Sequence, residues 1–132
     1  MGVIKKFAEW LGLKERLHNI FRRPPVFKEG ELWWCSIGEN IGSEINGKSK
    51  KFSRPVVVFK KLSGGTFLGV PTTSLNKTGS WYVQVVVHDI TETAILSQVR
   101  VLDYKRLHEK IGQLDASDFK KLKVGFRKLY VE

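Results

Sequence analysis

The sequence predicts a mainly β fold with helices: a small antiparallel barrel carrying a C-terminal helix and an added amphipathic helix at its N-terminus. Three observations lead there. Between residues 31 and 102 lie runs rich in β-branched and aromatic residues, joined mostly by short connections. At both ends of the chain, apolar residues recur instead at steps of three and four. Finally, Pro24-Pro25 cuts the first of these periodic segments from the rest. Residues 1–25 therefore read as a helix and linker, and 26–132 as the main domain.

The elements follow in order. Residues 4–21 form an amphipathic helix on the stripe Phe7, Trp10, Leu11, Leu17, Ile20 and Phe21, with Lys6, Glu9, Lys14, Glu15 and Arg16 between them. Such a stripe is expected to pack on the main domain or a second copy, and less readily on a membrane surface. Glu31–Ile37 is a first strand, and residues 38–53 are a long loop with three glycines and three lysines, of the kind that is functional or mobile. Arg54–Lys61 is a second strand, buried on both faces at its valine run. Ser63-Gly64-Gly65 turns it into a third strand ending at Thr73. Trp81–His88 and Ala94–Leu102 are the fourth and fifth. Tyr104–Ile111 reads as a short helix stopped by Gly112. A last helix starts from Asp115 as N-cap, with Asp118 in its first turn and Phe119, Leu122, Phe126 and Leu129 on its apolar face.

The chain has 132 residues, with 23 Lys and Arg against 13 Asp and Glu, a net charge of +10. So positive a domain attracts polyanions: nucleic acid first, then acidic protein segments or anionic lipid. No apolar run approaches the length of a membrane span. Glu9, Lys14 and Glu15 interrupt any signal-peptide core. One cysteine, Cys35, allows neither an intrachain disulfide nor a thiolate metal cluster, which fits a reducing cytoplasm.

Most catalytic patterns are missing. His18, His88 and His108 lie in three separate elements without metal-ligand spacing, and His88 and His108 read as solvated. There is no phosphate loop, no G-x-S-x-G elbow and no paired-carboxylate motif. What remains is a set of polar residues where strands meet loops. Arg54 opens an apolar strand behind the Lys- and Gly-rich loop, and its planar fork suits two phosphate oxygens. An arginine before proline is also an ordinary surface residue. Thr72, Thr73 and Ser74 are strand-end hydroxyls, which commonly cap backbone groups. Trp33, Trp34 and Trp81 are base-stacking candidates, although strand aromatics more often fill cores.

Four segments come in a fixed order: Gly42-Ser43-Glu44-Ile45-Asn46-Gly47, Arg54-Pro55-Val56, Val70-Pro71-Thr72-Thr73-Ser74, and Ser97-Gln98-Val99-Arg100 continuing through Asp103 to Arg106-Leu107. With Gly30-Glu31-Leu32-Trp33 before them, they resemble the MazF/PemK toxins of type II toxin–antitoxin systems over about residues 29–131. The resemblance implies an SH3-like barrel of the MazF/CcdB toxin type, working as a homodimer. It implies metal-independent cleavage of single-stranded RNA by 2′-hydroxyl attack, with no cofactor, and silencing by a cognate antitoxin. Arg54 and Thr73 match the family's catalytic arginine and threonine. Glu44 matches its loop glutamate, Gln98 lies in the strand that lines the RNA groove, and Lys48, Thr72, Ser74 and Ser97 join them as candidate substrate contacts. The chain departs from the pattern in its longer loop before Arg54, in Ser97 where several members carry an acidic residue, and in the N-terminal helix. Two other readings compete. One is an inactive nucleic-acid-binding barrel. The other is a CcdB-like gyrase poison, whose Trp-Gly-Ile ending is unlike Leu129-Tyr130-Val131-Glu132.

Overall fold

The computed structural model describes residues 5–132. Helix α1 (Phe7–Asn19) precedes seven strands: β1 (Glu31–Ser36), β2 (Ser53–Lys61), β3 (Thr66–Thr73), β4 (Tyr82–Val87), β5 (Ile90–Ile95), β6 (Arg100–Asp103) and β7 (Leu107–Gln113). Helix α2 (Ala116–Tyr130) ends the chain. The strands form one antiparallel sheet ordered β4-β5-β3-β2-β1-β7, with β6 pairing on β3. The sheet curls as a barrel does but is not closed by hydrogen bonds. Its two edges meet instead by packing: a Cβ on Gly112 of β7 would lie 2.5 Å from Val87 Cγ1.

Alternation along the central strands makes two cores. Trp33, Cys35, Val56, Val58 and Phe67 point into one, which Phe27, Leu102 and Leu107 complete. Leu32, Val57 and Val70 point into the other, with Val85, Val87, Ala94, Leu96 and Leu122. Val56, Val57 and Val58 are fully buried, as a strand covered on both faces requires. Phe59 stacks on Phe126 of α2 at 4.8 Å between ring centres. Asp115 holds the N-cap position of α2 but makes no capping hydrogen bond with its side chain. Asp118, expected to serve the helix dipole, is buried, and its carboxylate accepts from Val86 N at 3.0 Å. It fastens α2 to the edge strand β4.

Two predicted elements are corrected. The single strand 94–102 is instead β5 and β6, separated by a 3-10 turn at Leu96–Gln98. Both halves pair with β3, β5 near its end and β6 near its start, three residues out of step. Leu96 drops into the core while Ser97 is left exposed. The short helix 104–111 is a 3-10 turn (Tyr104–Arg106) followed by β7. Two bulges interrupt the pairing of β7 with β1. They destroy strict alternation, so Leu107 and Ile111 sit four apart, as on a helix, yet serve different cores. Gly112 serves sheet packing rather than a helix stop.

The loop at 38–53 is folded, not loose. Ile37 N and Gly38 N both donate to Phe52 O, Gly47 N donates to Gly38 O, and Lys48 bridges to Ser53. Ser36 Oγ donates to Lys51 O at 2.6 Å and stands against His108 Nε2, which must then be the donor to Ser36. His108 is thus half-buried on β7 rather than solvated on a helix.

Helix α1 docks on this loop. Within its predicted range, residue 4 lies outside the described residues, and of the proposed apolar stripe only Trp10 is buried. Its ring lies so close on Gly38, at φ +90°, that a Cβ there would come within 2.3 Å, and it packs on Phe52 at 5.7 Å. Lys5 donates to the carbonyls of Asn40 and Gly42. The linker is fastened as well: Arg22 donates to Tyr104 O and Leu107 O, and Tyr104 Oη donates to Arg22 O. No helix among the described residues is long and apolar enough to cross a membrane.

Trp10→Ala should release α1 without unfolding the sheet. Amide exchange in α1 should accelerate about a hundred-fold or more, since losing a buried Trp costs about 3–5 kcal/mol, while Val57 stays protected. A second test concerns acid. Burial, with the charges of Lys51 and Arg22, holds the His108 imidazole below its ordinary 6.5. Its neutral form is therefore favoured by folding, so stability is highest above about pH 6.5 and declines below it until the folded imidazole protonates. Urea midpoints should fall on acidification through that range, and His108→Gln should flatten the slope.

Candidate active site

The pairing of Val56 with Pro71 sets the start of β2 beside the end of β3. Arg54 and Thr73 are thereby neighbours at the junction of two clefts, both of which they line. Arg54 is half-buried. Its Nε donates to Asn46 O in the loop, and Nη1 makes a long contact of 3.5 Å to Thr72 O. Among the described residues Nη2 has no hydrogen-bond partner. Burial lowers the guanidinium pKa from its usual value, and the carboxylate of Glu92 opposes that shift. The group remains a fixed cation.

The two threonines differ. Thr73 Oγ1 accepts from Leu75 N at 3.2 Å, which leaves its hydrogen uncommitted toward the clefts. Thr72 is fully buried, and its one hydroxyl hydrogen serves Pro55 O at 3.0 Å and Glu92 Oε1 at 2.9 Å. Its hydroxyl is occupied with the fold, although its residue lines the first cleft.

Around Arg54 and Thr73, Lys48 and Ser74 line the first cleft, of about 470 Å³, while Ser97 and Gln98 line the second, of about 300 Å³. Gln98 Oε1 accepts from Ile45 N at 3.0 Å and its Nε2 donates to Ser43 O at 3.2 Å, so it steadies the loop from below. Glu44 stands one depression further away, beside Ser97 and Gln98 but not Arg54, and its Oε1 caps Ile41 N at 2.9 Å. The structure thus gathers seven of the eight candidate residues on two clefts sharing Arg54 and Thr73, and sets Glu44 apart.

Sequence reasoning missed Glu92, which is 8% exposed and lines the first cleft. A glutamate between Thr91 and Thr93 carries no motif, and β5 does not alternate in a way that would mark it as inward. It also missed Asn46, whose carbonyl holds Arg54. Among the described residues, no group of three or more His, Cys, Asp or Glu is placed to hold a metal ion.

Residues 28–130 match the family model described as PemK-like, MazF-like toxin of type II toxin-antitoxin system. No curated protein is significantly similar in sequence. Among solved structures, MazF (Form-I) from Deinococcus radiodurans is 22% identical, covering 80% of this chain and 96% of its own, with a TM-score of 0.65. The MazE-MazF complex (Form-II) from the same organism gives 18% identity, 81% and 97% coverage, and a TM-score of 0.62. An endoribonuclease in complex with its cognate antitoxin from Mycobacterial species gives 13%, 81% and 98%, and 0.64. At these identities the structures speak for the fold.

Thr72→Val tests the structural role of that hydroxyl. It leaves Glu92 and the Pro55 carbonyl short of a buried donor and should cost about 1–3 kcal/mol in urea unfolding. An unchanged midpoint would mean the hydroxyl is not holding the cleft wall.

Proposed function

Since the chain belongs to the PemK-like, MazF-like toxin family of type II toxin–antitoxin systems, we propose that it is an endoribonuclease. In this reading it cleaves single-stranded RNA without a metal ion, acts as a homodimer in the cytoplasm, and is silenced by a cognate antitoxin. One observation supports the chemistry above the rest: a guanidinium held by backbone at a cleft junction, with a free hydroxyl hydrogen beside it.

The proposed step is an internal transfer. The 2′-oxygen of RNA attacks the adjacent phosphorus, and the bond from phosphorus to the 5′-oxygen breaks. The 2′-hydroxyl loses its proton to solvent and the departing 5′-oxygen gains one, which leaves a 2′,3′-cyclic phosphate and a 5′-hydroxyl. Charge grows on the non-bridging oxygens as the phosphorane forms. Arg54 Nη2 and Thr73 Oγ1 are donors already in place for that charge, and their fixation avoids reorganisation during the step. Ser97 is exposed on the second cleft, and its hydroxyl is a poor base at neutral pH. The reading therefore rests on stabilising charge and on aligning the 2′-oxygen in line. DNA, lacking that oxygen, would be inert.

The antitoxin follows from the family and from the charge of +10, which suits an acidic segment that folds on binding. The structural relatives crystallised with an antitoxin point the same way.

Purified protein in EDTA should cut single-stranded RNA to fragments with those ends, and leave the 2′-deoxy strand whole. Arg54→Ala should lower the rate by about a hundred-fold or more, and Thr73→Val by a comparable or smaller factor. Bound but uncut RNA would instead mark an inactive binding barrel, and inhibited gyrase with intact RNA a gyrase poison.

A further inference from the structure

The first cleft holds more than a phosphate needs. Its floor is apolar, built from Leu32, Pro55, Val87 and Ile111, and the Trp34 indole at its side is 41% exposed. At about 470 Å³ it falls in the range of roughly 300–1,000 Å³ in which small ligands are held. Lys48 and Arg54 supply positive charge along its lining. Against this apolar wall stands one buried carboxylate. Glu92 Oε1 takes the Thr72 hydroxyl, and Oε2 has no hydrogen-bond partner among the described residues. No ion pair there joins it to Arg54, which the Asn46 carbonyl holds instead. The Oε2 oxygen opens onto the cleft, where a ligand's donor can replace the water that reaches it.

We propose that this cleft is a nucleobase pocket in which Glu92 selects guanine next to the phosphate held by Arg54. This rests on the ribonuclease reading above and deepens it by naming the base. A base has two apolar faces and one polar edge, which is the complement of this cleft. Trp34 offers a stacking surface, and stacking alone tolerates any base. Choice then falls to the edge. A carboxylate accepts and cannot donate. Guanine presents two adjacent donors, N1–H and the N2 amino group. Adenine and cytosine each offer an amino group beside an acceptor nitrogen, and uracil one N–H between two carbonyls, which a carboxylate repels. Unstacked bases in single-stranded RNA are free to enter with that edge leading.

The test is end-mapping of a randomised single-stranded RNA pool cut by the full chain. Guanine should be enriched at one position flanking the broken bond, on the order of ten-fold. Glu92→Gln keeps the size and an acceptor for Thr72 but adds an amino donor. Among the products it forms, whatever its overall rate, the guanine enrichment should be lost. Inosine, which lacks the N2 amino group, should cut more slowly at that position with the unaltered protein, so the test does not depend on the variant folding. Equal preferences in both proteins, or no guanine at either flank, would overturn the pocket. So would a loss of antitoxin capture in Glu92→Gln with base preference intact, which would assign the cleft to protein. If neither protein cuts RNA, the ribonuclease reading fails by itself. The pocket is then judged by fluorescence polarisation with 2′-deoxy oligonucleotides differing only in one guanine or one thymine: tighter guanine binding, lost in Glu92→Gln, supports it, and equal affinities sink it.

Discussion

A guanidinium half withdrawn from water and fastened to a backbone carbonyl is the constraint on which this architecture turns. Arg54 belongs to β2, but the carbonyl that receives its Nε belongs to Asn46 in the preceding loop. Aiming the cation therefore requires the loop to hold its shape, and much of the molecule contributes to that. Gly47 and Lys48 fold the loop back on Gly38 and Ser53. Gln98 supports it from beneath, His108 and Ser36 hold its Lys51 end, and α1 covers it through Trp10 and Lys5. Partial burial carries a desolvation cost for the cation, and Glu92 across the cleft offsets some of it.

The central strands were legible because their chemistry is redundant. Three consecutive valines and a Gly-Gly turn leave β2 and β3 few alternatives, and α2 carries its stripe at the right spacing. The two mispredicted elements share one cause, irregular backbone. The bulges of β7 space Leu107 and Ile111 like a helix, and the three-residue offset at Leu96–Gln98 is invisible while the apolar pattern runs on through Ala94, Ile95 and Leu96. Both irregularities arise from pairing with a distant strand, which local sequence does not encode. The α1 stripe misled in another way: Phe7, Leu11 and Phe21 repeat properly, yet only Trp10 meets a flat, side-chain-free partner at Gly38.

Of the candidate site, motifs named Arg54, Thr73 and the residues flanking them, and the fold brings these together on two clefts. Motifs did not name Glu92, because its meaning depends on Thr72 standing opposite and on an apolar cleft opening in front of it. Adjacent Thr72 and Thr73 look equivalent in sequence. In the fold one hydroxyl is sealed between Pro55 and Glu92 and the other keeps a free hydrogen. The offset that defeated the strand prediction also has a use, since it leaves Ser97 and Gln98 on the rim of the second cleft.

Cys35 lies wholly inside the first core, where burial pushes its thiol up to about 12 despite the nearby cations Arg100 and Arg106. Thiolate is the species that attacks disulfides and peroxides, and here almost none exists near neutrality. Cys35 therefore offers oxidants no thiolate through which the folded protein could be cross-linked. The candidate cleft, lined by none of this sulfur, is thereby insulated from thiol chemistry whatever the redox balance around the folded protein.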